Sequence, residues 1–373
     1  MSLPPILTTT DQVAEFAAEL AKFPVIAVDL EADSMHNYQE KVCLLQFSTP
    51  EQTVLIDPLT GASLEPLKPV LADSAIRKIF HAADYDIRCL ARDFTIEISG
   101  LFDTMISSQF LGEEKFGLAD VLRKYFGVEL DKQYQRADWS VRPLSAGMIR
   151  YAAEDTCHLH RLVAELERQL IEKGRLDWVK EEFALLEKAR FAEHNGPEFL
   201  RFKGAGSLEP RQLAVLENLL LWRDEEAQRR DVPPYKVLCN KSLLDLAKLK
   251  PAGRTALQDV EGLSPRLIDR YGGKILNQVS QALDLPDRQL PAYPRGERRA
   301  KDPAMEKRLN RLKEWRRKTA AQLELDPGVL INNALLEELA RQRPRSEADL
   351  AKIPPLKNWQ RRALGEGILR TLS

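Results

Sequence analysis

In Phe23–Ser34, FPVIAVDLEADS, two acids are set into an apolar run. Val25, Ile26, Ala27, Val28 and Leu30 read as a buried strand. Side chains two apart on a strand share a face, so Asp29 and Glu31 project side by side. Two buried anions in such a place are costly unless a cation sits between them. Hard dications suit that need, because Mg²⁺ and similar ions take oxygen ligands and share them with phosphate and water. The bland alternative is a strand end reaching solvent, in a chain that carries 56 acidic residues.

Two further stretches weigh against the bland alternative. In IFHAADYDIRCL a strand-like RKIF runs into His81, and Asp84 and Asp86 then open a helix. Asp84 suits the favourable N-terminal end of that helix, whereas Asp86, further in, can point back towards the strand ends. In MIRYAAEDTCHLHRL, Tyr151 and Asp155 stand at i and i+4 on one helical face. Each residue alone has an ordinary explanation, a core aromatic or a surface charge. Their joint occurrence with Asp29, Glu31 and Asp86, in this order and these local contexts, is much harder to explain that way. Cys157, His158 and His160 follow without further cysteines or histidines nearby, so no zinc site is read there.

The elements that must position these residues alternate through the first half of the chain. PVIAVDL, VCLLQFS, TVLIDP and IRKIFHA read as strands, the first three as a meander, followed by helices around Ala83–Ala91, Thr104–Leu111, Leu118–Phe126 and Ala146–Leu170. That order predicts an α/β domain with a mixed sheet flanked by helices. Beyond about residue 205 the pattern is helical and repeats. With Trp222 set over Trp315, Pro234 falls on Pro327, Asn240 on Asn333, Pro251 on Pro344 and Gly272 on Gly365 at one constant offset. Prolines and glycines in step mean helix ends in step, so the tail reads as two copies of one small helical domain. Both tryptophans read as core residues of their copies. The expected divisions are 1–204, 205–285, a basic proline-rich linker at 286–302, and 303–373.

Composition bounds the remaining possibilities. The chain has 373 residues, 44% hydrophobic and 30% charged, with a net charge of −1. It is therefore not a polybasic nucleic-acid binder as a whole, and any basic surface is local. The strongest is Arg295–Lys318, with eleven Lys and Arg against four Asp and Glu. Four scattered cysteines with no C-x-x-C pair fit a reducing compartment rather than a disulfide framework. No apolar stretch is long enough for a membrane span and no signal peptide opens the sequence. The expectation is a cytoplasmic protein.

Asp29-Leu30-Glu31, His81 through Asp86, and Tyr151-x-x-x-Asp155 together resemble the three motifs of the DEDDy 3′–5′ exonucleases. Phe102–Met105 (FDTM) and Asp138–Leu144 (DWSVRPL) are similar to the ribonuclease D branch, and the duplicated tail resembles two HRDC domains. The resemblance implies a ribonuclease H-like exonuclease domain followed by two all-α HRDC domains. It also implies a monomer that trims the 3′ ends of RNA, with transfer-RNA precursors as substrate class. Two divalent ions, Mg²⁺ or Mn²⁺, would be held by Asp29, Glu31, Asp86 and Asp155. They would favour hydroxide formation at neutral pH and stabilise the departing 3′ oxygen. Tyr151, with a reference pKa near ~10, is a poor base and would orient the attacking water. His81, Trp139 and Arg142 are the expected substrate contacts, with a structural histidine at His81 and loop packing by Trp139 as the alternatives. A DNA exonuclease of repair and an inactive RNA-binding scaffold are the rival readings. The intact acidic set argues against the scaffold, and the DWSVRPL stretch with the paired tail argues for RNA.

Overall fold

Short connections after Phe23 leave the chain no room for a crossover, so its first long strands pair antiparallel. The computed structural model describes residues 3–192, 195–294 and 302–373. Its strands are β1 (Ile6–Leu7), β2 (Val25–Ala32), β3 (Val42–Ser48), β4 (Thr53–Ile56), β5 (Arg77–Phe80) and β6 (Leu101–Asp103). They form one mixed sheet in the order β1-β4-β3-β2-β5-β6. β2, β3 and β4 are the antiparallel meander, while β5 and β6 add in parallel beside β2. Every residue of β3 is buried, as a central strand covered on both faces requires.

Seven longer helices cover the sheet: α1 (Thr10–Leu20), α2 (Asp84–Phe94), α3 (Thr104–Leu111), α4 (Leu118–Phe126), α5 (Ala146–Cys157), α6 (Leu159–Glu172) and α7 (Leu176–Leu186). The single helix expected over Ala146–Leu170 is two, broken at His158. Tertiary bonds hold both flanks of the break. Thr156 Oγ1 lies 2.7 Å from Ser48 Oγ, and His160 Nε2 lies 2.8 Å from the Ser48 carbonyl oxygen.

The tail is helical throughout its described residues. Its first copy holds α8 (Pro210–Arg230), a short turn at Pro234–Val237, α9 (Asn240–Leu249) and α10 (Pro265–Leu283). Its second holds α11 (Pro303–Gln322), a short turn at Pro327–Leu330, α12 (Asn333–Gln342) and α13 (Asn358–Leu372). The openings Pro210, Pro234, Asn240 and Pro265 match Pro303, Pro327, Asn333 and Asn358 at a constant offset of 93. Residues 295–301 of the expected linker and basic run lie outside the described residues.

Packing divides the chain into two compact units. One contains the α/β domain together with the second helical copy. Within it Glu181 of α7 accepts the first free N–H groups of α13, from Asn358 at 2.7 Å and Trp359 at 2.8 Å. Those amides have no intrahelical partner, and a carboxylate there also meets the positive end of the helix. The other unit contains the first copy and the loop Asp33–Lys41, whose Tyr38 hydroxyl donates to Asp224 at 2.6 Å. Among the described residues no helix is long and apolar enough to cross a membrane.

Candidate active site

The acids gather at the C-terminal end of β2. The parallel pairing with β5 runs from Val25 to Ala27 and stops short of Asp29, so the sheet opens there on one side. Asp29 faces Gln46 across β3 and Glu31 faces Leu44, which puts both acids on the sheet face that α5 covers. A bulge between Glu31 and Ala32 ends the regular ladder and turns the strand away. Asp155, on α5, descends onto this face. One carboxylate oxygen each from Asp29, Glu31 and Asp155 lies within 4.8 Å of the others.

Asp86 is buried beside this trio on α2. The turn that aims it is fixed by Asp103, a residue the sequence offered only as part of FDTM. Asp103 caps α3 through the N–H groups of Met105 (2.8 Å) and Ile106 (3.0 Å). It also accepts from Ala82 (3.3 Å) and Ala83 (2.8 Å). Ala82 has a φ of 68°, a left-handed conformation that costs an L-residue free energy and persists here because Asp103 grips both sides of the turn. Asp84, by contrast, points to Arg88, with bonds of 2.9 Å to its guanidinium, and takes no part in the cleft.

Electrostatics mark the same cluster. Burial pushes Asp29 up to about 7. Burial and then the charge of Asp29 push Asp155 up to about 8. Glu31 is raised by burial and by Asp29, Asp155 and Asp86 in turn, and Asp86 by burial and Asp29. Four carboxyl groups that resist ionising together are a site short of positive charge. Their all-oxygen donor set fits a hard divalent ion and offers nothing to a soft one.

The cleft around them has a volume of about 390 Å³, and its lining includes Asp29, Glu31, Asp155, Tyr151 and His81. Tyr151 lies between two aromatic neighbours, Trp139 at 5.9 Å and Tyr134 at 6.2 Å between ring centroids. Burial, then Asp155, Glu31 and Asp29, hold its hydroxyl above the ordinary phenol value, so it stays protonated and available to hydrogen-bond. His81 Nδ1 lies 2.9 Å from Thr104 Oγ1, while its Nε2 is buried without a hydrogen-bond partner. Burial lowers the imidazole to about 4, so it is neutral.

Two expected substrate contacts are not free to reach substrate. Trp139 is buried behind Tyr151, supporting its ring. Arg142 spends all five N–H donors inside the protein. Two go to the Asp57 carboxylate, at 2.5 and 2.8 Å, and three to the carbonyls of Trp139, Val141 and Cys43. None remains for a phosphate, and Arg142 instead pins the DWSVRPL loop to the sheet. Sequence reading also passed over Gln46. It is fully buried opposite Asp29, with both amide atoms unpartnered. The available signal was one amide within the otherwise apolar VCLLQF.

The comparisons agree with this geometry. The 3′–5′ exonuclease family profile matches residues 4–171, and the HRDC domain profile matches twice, at 212–279 and 305–372. Ribonuclease D of Gluconacetobacter diazotrophicus is 31% identical over 371 residues, covering 98% of this chain and 92% of that one. Ribonuclease D of Escherichia coli is 33% identical over 289 residues, 77% of this chain and 76% of the relative. The crystal structure of the E. coli enzyme, an exoribonuclease involved in structured RNA processing, superposes with a TM-score of 0.75 at 28% identity. It covers 100% of this chain and 99% of that one. The paired acids of β2, the carboxylate brought by α5 and the twofold helical tail thus have one common explanation: the chain belongs to the ribonuclease D family of metal-dependent 3′–5′ exoribonucleases.

Proposed function

We propose that the chain trims RNA one nucleotide at a time from the 3′ end, releasing 5′-nucleotides, with precursors of transfer RNA as its substrates. The observation that carries this reading is the convergence of Asp29, Glu31 and Asp155 oxygens within 4.8 Å. Asp29, Glu31 and Asp155 would hold two divalent ions, Mg²⁺ or Mn²⁺, with Asp86 completing the second position. Such ions supply a nucleophile at neutral pH and charge stabilisation for the leaving oxygen. Tyr151 would orient the attacking water, its protonated hydroxyl fixed by Trp139 and Tyr134. His81, neutral and lining the cleft, would meet the terminal nucleotide. Trp139 and Arg142 act on the reaction by holding the wall of the cleft. We further infer a monomer working in the cytoplasm.

The test is to incubate 5′-labelled RNA and matched DNA with the protein in Mg²⁺, in Mn²⁺ and in EDTA. A ladder shortening from the 3′ end on RNA, with free 5′-nucleotides and no reaction in EDTA, is expected. A faster ladder on DNA, internal cuts, or 3′-nucleotide products would overturn the reading. Run on a transfer-RNA precursor, the same assay should stop at a discrete length; uniform degradation to the end would remove that substrate class.

A further inference from the structure

Gln46 is a polar residue where the sheet itself has no use for one. It stands in β3, fully buried, and neither amide atom has a hydrogen-bond partner among the described residues. An unpartnered amide in such a place costs stability that an apolar side chain of similar size would not. Its neighbours narrow what it is for. Residues directly opposite in an antiparallel pair share a face, so Gln46 lies between Asp29 of β2 and Leu55 of β4. Leu44 and Ser48, two positions either way, are on that face as well. Leu44 and Leu55 belong to one apolar cluster with Ala152 of α5. Ser48 is already committed, its Oγ lying 2.7 Å from Thr53 Oγ1 and 2.7 Å from Thr156 Oγ1. Of these neighbours Asp29 alone offers an acceptor that the amide has still to meet.

We propose that Gln46 is a positioning residue of the metal site, its side-chain N–H holding the Asp29 carboxylate in the orientation that receives a divalent ion. The role rests on the divalent-ion reading of the cleft and extends it from the ligands to the group behind one of them. Opposite residues have Cβ atoms about 5 Å apart, a gap that the length of a glutamine side chain covers. A carboxylate binds a cation in its ionised form, which only accepts hydrogen bonds, and an amide N–H is a neutral donor suited to it. Neutrality matters here. A lysine or arginine in its place would supply positive charge of its own and compete with the ion. Gln46 has no exposed surface and does not line the cleft, so it touches no substrate and acts through Asp29. Hydrogen-bond partners standing behind metal ligands typically set affinity by a factor of about 10–100. That gain in the loaded protein accounts for an amide that the ion-free sheet would do better without.

The experiment uses the full chain with Mn²⁺ as the probe, in wild type, Gln46→Met and Gln46→Leu. Methionine keeps the length of the side chain and loses the amide; leucine repeats the loss with a different shape. Mn²⁺ binding is followed by paramagnetic resonance, and melting is recorded separately in EDTA. Both variants should bind Mn²⁺ about 10-fold more weakly or worse. Both should melt at or above the wild-type temperature, because an unpartnered buried amide has gone. The Mg²⁺ concentration for half-maximal hydrolysis of a short RNA should rise by a similar factor, with KM for the RNA unchanged. The alternative is that Gln46 serves the fold, for instance by bonding the Trp139 indole N–H, which is likewise buried and unpartnered in the same cluster. Both variants would then melt lower and bind Mn²⁺ as the wild type does. That result, unchanged Mn²⁺ affinity at any melting temperature, or weaker binding that comes with lower melting in both variants overturns the role and leaves the metal site standing. A wild type that binds no Mn²⁺ would overturn the metal reading and this role with it.

Discussion

Trp359 of the second helical copy lies stacked on Trp178 of the exonuclease domain, with ring centroids 4.9 Å apart and planes inclined by 19°. Phe110 meets Trp359 edge-on at 5.4 Å, and the Trp359 indole N–H donates to Glu182 at 2.7 Å. Aromatic packing of this kind contributes through buried area first and ring geometry second. The second copy is therefore part of the exonuclease domain's core, not an appendage on a linker.

Trp359→Ala should destabilise the protein by about 3–5 kcal/mol, the usual cost of truncating a large buried aromatic. Cutting the chain near Phe199 should leave Trp178 and Phe110 exposed and the fragment prone to aggregate. Thermal melting and light scattering check both. A loss below about 1 kcal/mol, with a soluble active fragment, would mean the stack contributes little.

Arg142 bears on how the cleft wall is held. Arg142→Lys keeps the charge but cannot reproduce five directed donors. Melting should fall by about 2–3 kcal/mol, since Asp57 is left buried and underbonded. The salt slope of RNA binding should not move. A reduced slope with melting intact would restore the phosphate contact expected from sequence.

Legibility followed range. The acids of β2 could be read because strand period and local apolar context lie within eight residues, and α3 and α4 fall on the expected bounds. β1 and β6, of two and three residues, are too short to show a period. The break at His158 carries no glycine or proline; it comes with hydrogen bonds to Ser48, more than a hundred positions away. Arg142 read as a phosphate ligand because its partner Asp57 is 85 residues distant. The convergence of acids was carried by resemblance, since no local pattern brings α5 over β2.

Tyr151→Phe removes one hydroxyl and keeps the ring packed on Trp139. Single-turnover hydrolysis should drop by about 10² with RNA affinity unchanged. Because the hydroxyl is held above the ordinary phenol value, the wild-type rate should show no loss from its ionisation up to roughly pH 10. Equal rates for the two proteins would return Tyr151 to a packing role.

Glu226 joins α8 to α10 in the first copy, accepting from Arg229 and from Lys274. The Arg229 hydrogen bond, aided by Lys274, holds its pKa down to about 2. A folded pKa below the unfolded one stabilises at pH above the unfolded value and loses that contribution as pH falls through the folded value. Glu226→Gln should thus cost about 1–2 kcal/mol at pH 7, discounted for its exposed partners. The gap to wild type should narrow between about pH 4.5 and pH 2. A gap independent of pH would show that the charge is not what links the helices.

The central claim is that Asp29, Glu31 and Asp155 form a divalent-ion site, and Mn²⁺ binding followed by paramagnetic resonance tests it without relying on turnover. Wild type should bind Mn²⁺ at roughly millimolar concentration or below, and Mg²⁺ should compete, as expected for an all-carboxylate site. Asp29→Asn and Asp155→Asn should each lose that binding while melting at or above the wild-type temperature in EDTA, because each relieves repulsion among buried acids. Mn²⁺ bound equally by wild type and both variants, or by none of them, would contradict the account.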